Sequence, residues 1–136
     1  MDEIHHLSLA DVLALHIAVM ERFGLAPAPL RDEGVLESAV MRPRMAAYYD
    51  EADLIRQAAL LAVGISQVQA FLDGNKRTAL AACDVFLRLN GIVFAGDPLE
   101  LVRQLEAVAM RSVNLEEVTN RFERWLRDEI ASKKDI

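Results

Sequence analysis

The heptapeptide Phe71-Leu72-Asp73-Gly74-Asn75-Lys76-Arg77 joins the two most apolar segments of the chain. Before it, Ala58 to Ile65 is apolar on every side, as in a helix buried over most of its surface. After it, the spacing from Asn75 to Asn90 predicts a helix that places Arg77, Asp84 and Arg88 on one stripe, with Ala81 between them. Leu80, Cys83, Phe86 and Leu87 face elsewhere. Two such segments joined by a short connection, from about Val68 to Gly74, make a helical hairpin, and that hairpin is expected to be the centre of the fold.

Outward from the hairpin, apolar residues recur at three- and four-residue spacing and strand-like alternation is nearly absent, so the expected class is all-α with about six helices. Ser8 to Asp11 has the form of an N-terminal cap for a first helix that stops near Phe23-Gly24. Leu25 to Leu30, with two prolines, reads as a loop. Asp32 then caps a second helix expected to run to Arg42 and stop at Pro43, because proline breaks the helical hydrogen-bond ladder. Residues 44 to 52 are expected to be a loop, with extended character around Ala47 to Tyr49, before Asp53 caps the third helix. Gly91 ends the fourth, and Ile92 to Phe94 is a candidate short extended piece. Asp97-Pro98 opens a fifth helix to about Met110, and Asn114 with Glu117 has capping-box spacing for a sixth through Trp125.

With 136 residues the chain has the length of one domain, expected over residues 1–131 with a frayed polar tail at 132–136. A net charge of −6 argues against general nucleic-acid or membrane-surface binding, which needs a broad basic face. The single cysteine, Cys83, excludes a disulfide framework or a paired-cysteine metal site, and the N-terminus lacks the basic start and apolar core of a signal peptide. A cytoplasmic protein is therefore expected. Its apolar fraction of 53% is high for a small domain and hints at an occupied interface, so a homo-oligomer is considered.

Chemistry is expected where charge is out of place. A helix N-terminus is already positive through its unpaired N–H groups and favours Asp or Glu in its first turn. Here the first turn carries Lys76 and Arg77. Two cations at that end cost stability unless an anion binds, and a glycine-flanked helix start binds anions through its backbone amides. Phosphate is the simplest such anion.

The stretch Gln69-Ala70-Phe71-Leu72-Asp73-Gly74-Asn75-Lys76-Arg77 resembles the signature of the Fic superfamily, in which a histidine opens the motif and an acidic-Gly-Asn-(Gly or Lys)-Arg run follows. Lys76, Leu80 and the continuation Thr78-Ala79-Leu80 are similar to the Doc (death-on-curing) toxin branch. The likeness extends to Leu30-Arg31-Asp32-Glu33-Gly34-Val35-Leu36-Glu37-Ser38-Ala39 upstream and Phe86-Leu87-Arg88-Leu89-Asn90-Gly91 downstream. It implies a toxin of a toxin–antitoxin pair: a kinase that uses ATP with Mg²⁺, or another nucleotide, to phosphorylate a threonine of elongation factor Tu and halt translation. Most other Fic relatives transfer a nucleotidyl group. By the same resemblance Phe71 anchors the loop, Asp73 holds Mg²⁺ or aligns the hydroxyl, Gly74, Asn75 and Lys76 line a phosphate nest, and Arg77 clamps the phosphates. The implied partners are an antitoxin, whose amphipathic segment would lie in a groove of the bundle, and the protein substrate.

Gln69 stands where the family carries its general-base histidine. A carboxamide has no protonation equilibrium near neutral pH, so transfer is expected to be slow or absent while nucleotide binding survives. Natural loss of activity and a substitution made or selected against toxicity both fit, and a catalytically silent binding protein or regulator on the same fold is the competing reading.

The remaining polar residues read more plainly. Adjacent His5 and His6 are expected to be solvated rather than metal-bound, and His16 to make a satisfied hydrogen bond at the edge of the core. Cys83 should be inert and buried, and Asp84 and Arg88 a surface pair. Arg31-Asp32 and Arg42-Pro43-Arg44 are read as a cap and a stop. Ala46 to Asp53, with Tyr48 and Tyr49, is the candidate for the flap with which the family docks its target.

Overall fold

The computed structural model describes residues 3–111 and 114–134, and among them it forms six helices: α1 Leu9–Arg22, α2 Glu33–Asp50, α3 Leu54–Val68, α4 Asn75–Leu89, α5 Pro98–Arg111 and α6 Leu115–Lys134. The fold is all-α. The hairpin of α3 and α4 is its centre, with α2 and α6 also packed on α3, and α1 and α5 on α4. Every residue of α3 from Gln57 to Ser66 is buried except Leu60, which explains why Ala58 to Ile65 has no polar face. Gly64 lets α2 come close, since a Cβ there would stand 3.3 Å from that of Ala39. Leu36 and Val40 of α2, Phe86 and Leu87 of α4, Leu101 and Leu105 of α5, and Phe122 and Leu126 of α6 close the core around it.

Side-chain caps set most of the boundaries. Ser8 and Asp11 form the reciprocal capping box of α1. Asp32 accepts the Val35 N–H, Asp53 the Arg56 N–H and Asn114 the Glu117 N–H, so each expected start is observed. Asp53 also receives both guanidinium nitrogens of Arg127, at 2.9 and 3.1 Å, which ties the start of α3 to α6 and lowers the carboxyl pKa.

The second helix departs from expectation. It passes through Pro43 and ends only at Glu51, whose left-handed backbone (φ 53°) lets the Ala52 N–H close on the Ala46 carbonyl. An interior proline removes one ladder bond and costs about 3 kcal/mol. Burial of the Pro43 ring and the helix-forming run Arg44-Met45-Ala46-Ala47 offset that cost. Residues 44 to 50 are thus helix rather than loop, and Ala47 to Tyr49 is not extended. Ile92 to Phe94 also forms no strand; Ile92 donates to the Leu87 carbonyl and closes the end of α4. Among the described residues the one β-bridge joins Leu30 and Phe71. The sixth helix continues nine residues past Trp125, to Lys134, which takes it into the stretch expected to fray; residues 135 and 136 lie outside the described residues. No helix among the described residues is long and apolar enough to cross a membrane.

Candidate functional site

The connection between α3 and α4 is held from three sides. From outside, the segment before α2 lies along it: Arg31 N–H donates to the Ala70 carbonyl at 2.6 Å, Leu72 N–H to Pro29, and the Arg31 guanidinium to the Gln69 carbonyl at 2.9 Å. Within the loop, the Asn75 carboxamide bridges back to Phe71, accepting its N–H at 3.1 Å and donating to its carbonyl at 2.9 Å. From beneath, the His16 ring stacks flat on Phe71, with centroids 3.8 Å apart and planes 5° from parallel. Ala70 and Phe71 are buried, so the loop is a fixed part of the core and not a free hinge.

Gly74 is the N-cap of α4, in left-handed geometry at φ 79°, and no side chain caps the helix. The amides of its first turn are therefore left without the usual capping acceptor. They open into a cavity of about 330 Å³ lined by Gln69, Asp73, Gly74, Asn75, Lys76 and Arg77, with Phe23, Ser66, Leu99, Val102 and Glu106 among its walls. Among the described residues neither Lys76 nor Arg77 forms an ion pair; Arg77 instead lies over the Phe23 ring, 4.9 Å from its centroid. The two cations share the cavity with the carboxylates of Asp73 and Glu106. A phosphate chain carrying a divalent cation asks for that mixture of signs. A second cavity, about 600 Å³ between α2, α3 and α6, contains none of these residues.

Residues 6–87, well over half the chain, match the family model described as Fic/DOC family. The chain belongs to the Fic/DOC family. It is similar to "Protein kinase doc" of Escherichia phage P1, at 31% identity over 89% of this chain and 95% of that protein. It is also similar to "Toxin Doc" of Mycolicibacterium smegmatis, at 43% identity over half of this chain and 54% of that protein.

Gln69 and the run from Leu72 to Arg77 thus line one cavity. The Asn75 side chain is committed to Phe71, which leaves its backbone amide for the nest. Ala46 to Asp53 is the end of α2 and the turn into α3, and it borders the larger cavity rather than the motif. Tyr48 and Tyr49 there are exposed. Gln69 is exposed, with φ 50° as the left-handed C-cap of α3, and it is one of the residues that line the cavity.

Other residues gained partners that the sequence did not reveal. Arg31 clamps the motif, although nothing in its local pattern signals this. His6 is not simply solvated: its Nε2 lies 2.7 Å from Oε1 of the buried Gln57, and its ring stacks on Phe86. Cys83 is fully buried, and burial pushes its thiol up to about 12. Asp84 and Arg88 pair as expected, at 3.1 Å.

His16 is satisfied, as expected, but more deeply placed. It is 2% exposed, and burial lowers its pKa against the opposing pull of the Asp73 carboxylate. The Ala28 amide, 2.9 Å from Nε2, can only donate, so a second ring proton would have to displace it. The unfolded chain then binds this proton below about pH 6.5 while the folded chain stays neutral. Stability from His16 should be complete above that pH and decline as pH falls toward the lower folded value. Denaturant midpoints at pH 7.5 and 5.0 should differ more for the parent than for His16→Gln; equal differences would reject the assignment.

Proposed function

We propose that this chain is the toxin of a toxin–antitoxin pair, with a site built to pass the terminal phosphoryl group of ATP to a protein hydroxyl, a threonine of elongation factor Tu, and so to arrest translation. The observation that carries this reading is the uncapped start of α4, where Lys76 and Arg77, which form no ion pair among the described residues, line one cavity with Asp73 and Gln69. The phage relative's name, a protein kinase, favours phosphoryl over nucleotidyl transfer.

Each residue has a task in that reaction. The amides of Asn75, Lys76 and Arg77 receive phosphate oxygens, and the two side chains add charge that an exposed helix start would not otherwise tolerate. Asp73 has one carboxylate oxygen on the Gly74 N–H at 2.8 Å, and the other would hold Mg²⁺. The described residues offer no group of three metal-binding side chains, so phosphate oxygens and water would complete the ion's shell, as is usual for Mg²⁺. Phosphoryl transfer depends mostly on such positioning and charge stabilisation, but the attacking hydroxyl must also lose its proton. Gln69 cannot take it, so this chain binds the nucleotide and transfers slowly.

A neutralising antitoxin has to obstruct this cavity. The adjoining apolar groove, about 490 Å³ and sharing Phe23 and Leu99 with it, suits an amphipathic segment; Leu15, Val19, Leu80 and Val85 line it.

Calorimetry with Mg-ATP tests the reading. The parent chain should bind, and the Lys76→Ala/Arg77→Ala pair should bind at least about 100-fold more weakly, since each charge-assisted contact is worth about 1.5–3 kcal/mol. A parent chain that binds no purine nucleotide would overturn the proposal.

A further inference from the structure

Helix α1 contributes no residue to the family signature, yet a buried polar chain runs from it to the site. The Ala28 N–H donates to His16 Nε2 at 2.9 Å, His16 Nδ1 lies 2.8 Å from Thr78 Oγ1, and Thr78 Oγ1 donates to the Gly74 carbonyl at 2.8 Å. Thr78 is fully buried and His16 nearly so.

The direction of this chain is forced. An amide N–H has no lone pair to offer, so Nε2 must be bare and the ring proton of neutral His16 must sit on Nδ1. That proton goes to Thr78, whose own hydroxyl proton is then free for Gly74. The Gly74 carbonyl also takes the Thr78 N–H at 2.9 Å, so it carries two donors and cannot swing.

The consequence lies on the other edge of the same peptide. The Gly74 carbonyl and the Asn75 N–H belong to one planar trans unit and point in opposite directions, so fixing the first aims the second. The Asn75 amide is the first free donor of the helix start. The His16 ring also blocks the space behind the loop, since a Cβ on Gly74 would lie 3.3 Å from its Cε1. We infer that His16 is the positioning residue of the phosphate nest, acting through Thr78 and the Gly74 carbonyl to aim the Asn75 amide at the bound anion. It touches no substrate. Its role rests on the reading of the nest as a phosphate site.

The test uses the full chain, Mg-ATP and two readouts. In ¹⁵N spectra of the imidazole at pH 7.5 without nucleotide, His16 should carry its proton on Nδ1; a proton on Nε2 overturns the inference. By calorimetry, Thr78→Val, which keeps the shape and removes the hydroxyl, should weaken Mg-ATP binding about tenfold, while Thr78→Ser should stay within about threefold of the parent. The Asn75 amide resonance should shift in the valine variant and return in the serine variant, a rescue that general loosening of the core would not give. Should the valine variant fail to fold, His16→Phe, which keeps the stack on Phe71, provides the same comparison. Parent-like binding in the valine variant sinks the positioning role alone; absence of binding in the parent sinks the phosphate reading and this role with it.

Discussion

Gln69→His is expected to raise phosphoryl transfer by about 10²–10⁴-fold, the usual worth of a positioned general base, or roughly 3–5 kcal/mol of barrier. Gln69 lines the same cavity as Asp73 and the open start of α4, and its backbone carbonyl is held by Arg31 at 2.9 Å. A histidine would also suit the backbone, since φ 50° is a left-handed conformation in which His is enriched among non-glycine residues. The gain should therefore appear in transfer without a loss of stability.

Label from the γ-phosphate of ATP should reach elongation factor Tu in the Gln69→His variant and scarcely in the parent, and expression of the variant should slow host growth. Mg-ATP affinity should be nearly the same in both, because the nest does not use this side chain. If affinity is retained but neither transfer nor growth arrest appears, the chain is a silent binding protein on a Fic/DOC fold, and loss of the base was only one part of its loss of activity.

Most of the architecture followed from local signals because α1, α2, α3 and α6 begin on side-chain caps, and α1 to α4 end on or next to a residue with a left-handed backbone. Ser8, Asp32, Asp53 and Asn114 each supply one donor-satisfying oxygen at a fixed offset, a pattern written in consecutive residues. Pro43 misled for the converse reason. Its local cost is real, but the compensation comes from burial against other helices, which no short window contains. The site divides in the same way. The cationic helix start was visible in Lys76 and Arg77 because it violates a local rule. The clamp by Arg31 joins residues 38 apart, and the link from His16 to Thr78 spans 62, so both depend on the packed chain. His16 did leave a trace, since it falls on the buried stripe of α1 with Val12, Val19 and Met20, where a polar residue must be serving some partner.

Gly74→Ala should be among the most damaging single substitutions outside the large core residues, with a loss of about 2–5 kcal/mol. Two terms add. A side chain in left-handed geometry costs about 1–2 kcal/mol, and Gly74 has φ 79°. A methyl group there would run into the Met20 sulfur, with Met20 Cε at 3.0 Å, in a region packed by His16; such overpacking costs about 1–3 kcal/mol. Gly24 and Gly91 separate the terms, because both have positive φ, 74° and 86°, but open space where a Cβ would stand. Their alanine variants should lose only the backbone term. In thermal denaturation Gly74→Ala should melt about 10 °C or more below the parent, clearly below Gly24→Ala and Gly91→Ala. Any part of the clash relieved by lifting the loop would displace the Gly74 carbonyl from Thr78, so Mg-ATP affinity should fall in Gly74→Ala and stay parent-like in Gly91→Ala. Equal melting losses for all three variants would mean that Met20 yields without cost and that the glycine is required for its backbone alone.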